Sequence, residues 1–153
     1  MTGGSLRTTI DLVAGQKTSG ESVLEEVLVT QVQTGHYRIE ATPGVVLGMA
    51  RGDLIEYDDL SKAFVVLERG GNLAVHVYGA HSIAERALDE VAQLGGSLDG
   101  RAPNLTVFTV PVSVGFAAVE KLFNDLAAAY EGIEWYFGNV YAEDGVTPLG
   151  WWD

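Results

Sequence analysis

From Thr8 to about Val77, apolar and polar residues alternate in short runs divided by turn residues, the period of strands with one buried face. The pattern predicts strands over Thr8–Val13, Val23–Gln33, His36–Ala41, Asp53–Tyr57, Ala63–Glu68 and Leu73–Tyr78. The breaks have their own chemistry. Gly15–Gly20 is a polar loop, Gly35 sits in a tight connection, Thr42-Pro43-Gly44 is a turn, and Asp58-Asp59 opens a hairpin between Ile55 and Phe64. Short strands joined this tightly predict a small curled antiparallel sheet or barrel.

After Tyr78 the apolar period lengthens to that of helices. Ser82-Ile83-Ala84-Glu85 reads as a capping box opening a helix from Ile83 to about Leu94, with Ile83, Ala87, Val91 and Leu94 as its stripe and Gly95-Gly96 as its stop. Leu105–Val112 reads as a buried strand. Ser113 caps a second predicted helix that runs to about Tyr130 and turns Val119, Leu122, Phe123, Leu126 and Ala129 inward. Ile133–Tyr141 is the last predicted strand. The order strand, helix, strand, helix, strand predicts a ferredoxin-like or ACT-like half, two helices on one face of an antiparallel sheet. The fold class is therefore α+β: a β lobe over residues 8–78, an αβ lobe over 73–142 and an aromatic tail over 143–153. The 153 residues are expected to form a single domain.

The tail ends in Trp151-Trp152-Asp153. Each indole offers about 150–250 Å² for burial, so both are expected to dock, on their own domain or as anchors on a partner.

Charge then narrows the function. Twenty-one acids against nine bases give a net −12, of which residues 71–153 carry −8. Such a surface repels nucleic acid and anionic membrane and attracts basic proteins or cations. With no cysteine there is no disulfide, thiolate metal site or cysteine nucleophile. Met1–Ile10 lacks the basic flank and apolar run of a signal peptide, and no apolar stretch approaches the roughly 20 residues of a membrane span. The expected location is the cytoplasm.

Two acidic groups invite a binding role. Glu85, Asp89 and Glu90 on the first helix and Glu120 and Asp125 on the second are expected to pool on one face, with Tyr130, Trp151 and Trp152 as aromatic anchors. Asp53, Glu56, Asp58 and Asp59 form a second acidic patch around the central hairpin. Hard-cation binding would need an EF-hand spacing that is absent, and His36, His76 and His81 do not stand in a zinc pattern. No nucleophile elbow or phosphate loop occurs, so no catalytic residue, metal or cofactor is assigned. An enzymatic reading would require Asp53 and Glu56 to share a pocket.

Several segments carry a family resemblance. Glu26-Val27-Leu28-Val29, Gly35-His36-Tyr37-Arg38-Ile39 with Pro43 after it, Arg51-Gly52-Asp53-Leu54-Ile55, Glu68-Arg69-Gly70-Gly71, Val75-His76-Val77 and Val110-Pro111 together resemble the bacterial family known as domain of unknown function 4265. The likeness spans about residues 22–142. It departs at Ala41 and Thr42 in place of an asparagine, at Val29 in place of an aromatic, and at His76 in place of an arginine. The resemblance implies a β lobe followed by an αβ lobe and an accessory protein of the kind found near polymorphic toxin loci.

The resulting expectation is an immunity or inhibitor protein that neutralises a basic toxin or effector, such as a nuclease domain, by covering its active site. The alternative is an ACT-like small-molecule sensor with Gly79–Ser82, at a helix N-terminus, as its anion seat.

Overall fold

The computed structural model describes residues 6–153, so the start of the segment Met1–Ile10 lies outside the described residues. The first lobe is a five-stranded antiparallel sheet in chain order: β1 (Arg7–Gln16), β2 (Ser22–Gln33), β3 (His36–Ile39), β4 (Leu54–Tyr57) and β5 (Phe64–Glu68). Its strands keep the predicted period, and Ile10, Leu12, Val27, Val29, Ile39 and Ile55 bury one face under Val46 and Met49. β1 and β5 do not pair as strands, so the sheet stays open. It curls until the Val13 N–H reaches Lys62 O at 3.1 Å and the Tyr57 hydroxyl reaches Asp11 O at 2.9 Å.

The second lobe runs β6 (Asn72–Tyr78), α1 (His81–Ala84), a 3-10 turn (Glu85–Ala87), α2 (Leu88–Gln93), β7 (Ser97–Ala102), β8 (Leu105–Pro111), α3 (Phe116–Ala129) and β9 (Glu134–Phe137). Its sheet has the order β7-β8-β6-β9, and all neighbours are antiparallel. The helices cover one face, where Val91, Val119, Leu122 and Phe123 meet Leu73, Val75, Val77 and Phe108. The other face packs on the loop joining β3 and β4. Sandwiched this way, β6 buries five consecutive residues, Leu73 to Val77.

Several expectations need correction. β7 carries no strand signal in the sequence, because Ser-Leu-Asp-Gly-Arg-Ala holds one large apolar residue and shows no period. Pairing with β8 makes it a strand, and a bulge between Leu98 and Gly100 accompanies the buried Asp99 side chain, which accepts from Thr42 N, Ser97 Oγ and Thr109 Oγ1 at 2.7–2.9 Å. The capping box does not form. Ala80 is the N-cap with no side-chain bond, the predicted helix is broken by the 3-10 turn, and the Glu85 carboxylate is drawn to Arg101 on β7. Ser113 likewise lies in a 3-10 turn before α3, whose N-cap is Gly115.

The last strand stops at Phe137 because a side chain takes over. The Asn139 amide, fully buried, accepts from Ala74 N at 2.9 Å and donates to Asn72 O at 2.8 Å, occupying the ladder positions of a further strand residue. Among the described residues, no helix is long and apolar enough to cross a membrane.

Candidate functional site

β9 reads Glu-Trp-Tyr-Phe, and the two faces of a strand separate its side chains. Trp135 and Phe137 turn to the helices. Trp135 packs on Phe123 and Phe137, with centroids 5.6 and 5.0 Å away, and donates its indole N–H to Asn124 Oδ1 at 2.9 Å. Phe137 meets Phe116 at 5.5 Å, and Phe116 meets Trp152 at 5.0 Å. Trp151 stacks edge-on to Trp152 at 5.4 Å, donates to Asn139 O at 2.8 Å and lies under the Arg69 guanidinium at 5.4 Å. Both terminal indoles therefore dock on their own chain, half-buried. On the opposite face Tyr136 stands exposed, edge-on to Tyr78 at 5.9 Å.

After Asn139 the chain folds into a small hairpin closed by Tyr141 and Pro148, with Asp144 bonding the Val146 and Thr147 N–H groups in its turn. This hairpin stands off from β9 and leaves two clefts. The first, of about 490 Å³, lies between α3, β9 and the hairpin, walled by Phe116, Glu120, Asn124, Trp135, Tyr141 and Trp152. The second, of about 720 Å³, opens between the lobes, where Phe64 and Val66 of β5 face Leu47, Arg69, His76, Tyr78, Tyr136 and Leu149. Tyr136, Phe137 and Tyr141 belong to both, so the clefts flank one strand.

Residues 25–135 match the family model described as a domain of unknown function, DUF4265. The chain belongs to that family. The fold is also similar to the solved structure of a hypothetical protein from Neisseria gonorrhoeae: TM-score 0.66 at 13% identity, covering 88% of this chain and 96% of that one. No curated protein matches.

The segments that carry the DUF4265 likeness meet at the junction of the lobes. His76 donates from Nε2 to Pro43 O at 3.0 Å. Asp53 accepts from Gly70 N at 2.8 Å and Ala50 N at 3.0 Å, and faces Arg69 at 3.5 Å. Thr42 adds a 2.6 Å hydroxyl bond to Thr109. The family match stops at Trp135, so Tyr136 to Trp152, which build much of both clefts, lie beyond it.

Of the residues the sequence nominated, Glu120 and Trp152 come together in the first cleft, with Trp151 behind. The remaining helical acids do not share that face. Glu85 is held by Arg101, and Asp125 by Lys121 at 2.8 Å; Glu90 shares with that pair a shallow groove between α2 and α3. Asp89 is exposed on α2, and Tyr130 is covered by the Arg86 guanidinium at 5.3 Å. The central acidic patch dissolves. Asp53 is buried, Glu56 pairs with His36 at 3.2 Å, Asp58 accepts from Leu60 N at 2.9 Å as a turn residue, and only Asp59 is left without such a partner among the described residues. Gly79–Ser82 opens a helix of only four residues, whose Ile83 and Ala84 N–H groups already bond to Ala80 O.

Sequence reasoning missed Tyr78, Tyr136, Tyr141, Glu134 and Glu143. The usable signal was the aromatic run in β9, since aromatics exposed beside a pairing strand are costly unless they serve a contact. Their rim is acidic. From Phe116 to the end, seven acids against one base give −6, half the net charge on a quarter of the chain. Glu120 and Glu143 are exposed and meet no cation among the described residues, while the Glu134 carboxylate accepts from the Tyr136 hydroxyl at 3.2 Å and raises its pKa.

His76, at the back of the second cleft, is held below its ordinary 6.5 by burial. The unfolded chain takes up a proton near that value more readily than the folded chain does. Stability is therefore complete above pH 6.5 and falls as pH drops below it, by at most about 1.4 kcal/mol per unit. Urea midpoints between pH 8 and 5 are expected to fall less in His76→Gln than in the parent. Equal slopes would show that His76 accepts its proton in the folded state.

Proposed function

We propose that this DUF4265 protein is an acidic binding protein that covers the functional surface of a basic protein, as an immunity or inhibitor protein covers a toxin or effector domain such as a nuclease. The observation that carries the reading is the union of two aromatic-walled clefts with an unneutralised carboxylate rim on the most acidic part of the chain. The net −12 steers a cationic partner and speeds encounter. Tyr136, Tyr141 and Trp152 offer ring faces to lysine or arginine side chains, and Glu120 and Glu143 complete the contact. The only arginine in these walls, Arg69, is already engaged by Gly48 O, Asp53 and Trp151, so it does not offset the rim.

The test is capture of partners from lysate by the tagged chain at low and high salt, beside Glu120→Lys/Glu143→Lys. The expected result is a basic protein released by salt and recovered at least about tenfold less by the double variant. Capture indifferent to both salt and charge reversal would overturn the reading.

A second reading rests on the interlobe cleft. The chain order of the second lobe and its sheet order β7-β8-β6-β9 support a ferredoxin-like, ACT-like unit, and a cleft of about 720 Å³ is of ligand size. A rise in melting temperature with one member of a metabolite library would favour that sensor role.

A further inference from the structure

We infer that the partner is held by strand addition: an extended, arginine- or lysine-bearing segment pairs with the outer edge of β9 and sends alternate side chains into the two clefts. This rests on the basic-partner reading and says how such a partner is gripped.

The main chain of β9 provides the first support. Its pairing with β6 aligns Tyr136 with His76 and Glu134 with Tyr78, and the next rung is the Gly138 N–H to Ala74 O bond at 2.9 Å. By the alternation of antiparallel ladders, Tyr136 and Glu134 direct their backbone groups to β6, whereas Trp135 and Phe137 direct theirs outward. Among the described residues no backbone bond from another element reaches them.

The other sheet edges are blunted in ways β9 is not. β1 carries a bulge between Val13 and Gly15, β7 a bulge at Asp99, and the pairing of β5 is shifted between Leu54 and Ile55. The β9 ladder is regular, and its sequence contains no lysine, proline or bulge. An uncovered regular edge invites a further strand.

The clefts supply the specificity. Side chains of an added strand alternate between the faces, and here each face opens into a cleft. One set meets Phe116, Glu120 and Trp152, and the other meets Tyr78, Tyr136 and Glu143. Both walls present ring faces and a carboxylate without a cation, which selects a basic strand over an acidic one.

All three tryptophans of the chain lie at this site, so intrinsic fluorescence reports on it directly. The probe is a short synthetic peptide alternating arginine and valine, compared with the same peptide N-methylated at every second amide and with a glutamate-for-arginine version. The full chain is titrated by fluorescence, and amide exchange is followed at Trp135 and Phe137. The expected result is a change in tryptophan emission with the arginine peptide, slowed exchange at both amides, and affinity at least about tenfold lower for the N-methylated and glutamate forms. No emission change with the arginine peptide, or unchanged exchange at Trp135 and Phe137, overturns the proposal. Equal binding of the N-methylated peptide overturns strand addition and leaves the basic-partner reading standing. Equal binding of the glutamate peptide overturns that reading and leaves the strand geometry standing.

Discussion

Phe123→Ala is expected to lower the unfolding free energy by about 3–5 kcal/mol, the range for deleting a large, fully buried ring. Phe123 has no exposed surface, and its centroid lies 5.6 Å from both Phe108 and Trp135. It is the point where α3 is locked to β8 and β9. The neighbours are sheet residues fixed by their ladders, so they cannot collapse into the space, and the cavity cost adds to the lost transfer energy. Tilted ring pairs of this kind also contribute beyond their buried area. The check is a urea unfolding curve with unchanged slope and a lower midpoint. Tryptophan emission should shift as well, because Trp135 loses a wall. A loss below about 1 kcal/mol would mean that the helical layer is loosely packed, contrary to the tilted contacts described.

Asp53→Ala is expected to cost a similar amount, about 3–5 kcal/mol, for a different reason. Its carboxylate is 1% exposed and satisfies two backbone donors, at Ala50 and Gly70, while facing Arg69. Removal strands both donors and leaves a partly buried guanidinium without its counter-charge. The double variant Asp53→Ala/Arg69→Leu should recover part of the loss, since the stranded charge goes with it. The junction is also tight here: a Cβ on Gly70 would come within 2.4 Å of the Gly52 carbonyl carbon, so local shift cannot heal the gap.

Asp53 also leaves a signature in pH. Burial outweighs the donors and raises its pKa above the ordinary 3.8. The folded chain then holds this proton more tightly than the unfolded one, so stability falls as pH rises through the window above 3.8. Urea midpoints across that window should lose this component in Asp53→Asn. A slope difference of the opposite sign, with the parent gaining stability relative to Asp53→Asn as pH rises, would show that the donors and Arg69 win over burial.

Asp53 illustrates how sequence and structure divide the work. Its neighbours Glu56, Asp58 and Asp59 made it look like part of a surface patch, and Asp58 did prove to be a turn residue, because an Asx turn is local chemistry. Asp53 is held by Arg69 and Gly70, which lie 16 and 17 positions on, and nothing in its own window announces them. Glu85 is the converse case: the Ser-x-x-Glu motif was present, but Arg101 on an unforeseen strand took its carboxylate.

By itself, the sequence determined what local periodicity and composition can carry: the strands from β1 to β6 and the buried strand β8, the long helix α3 with Val119, Leu122, Phe123 and Leu126 inward, the α+β class, the family, and the acidic character of the second half. These follow from which side chains recur on one face of a strand or helix, and from a count of charges. Tertiary structure decided the rest. β7 is a strand only because β8 pairs with it, the two tryptophans find their own lobe, and Tyr78, Tyr136 and Tyr141 meet only once β9 joins β6 and the hairpin after Asn139 folds over it. A cleft is made by residues distant in the chain, and their meeting is fixed by pairing and packing between elements, which no local pattern records.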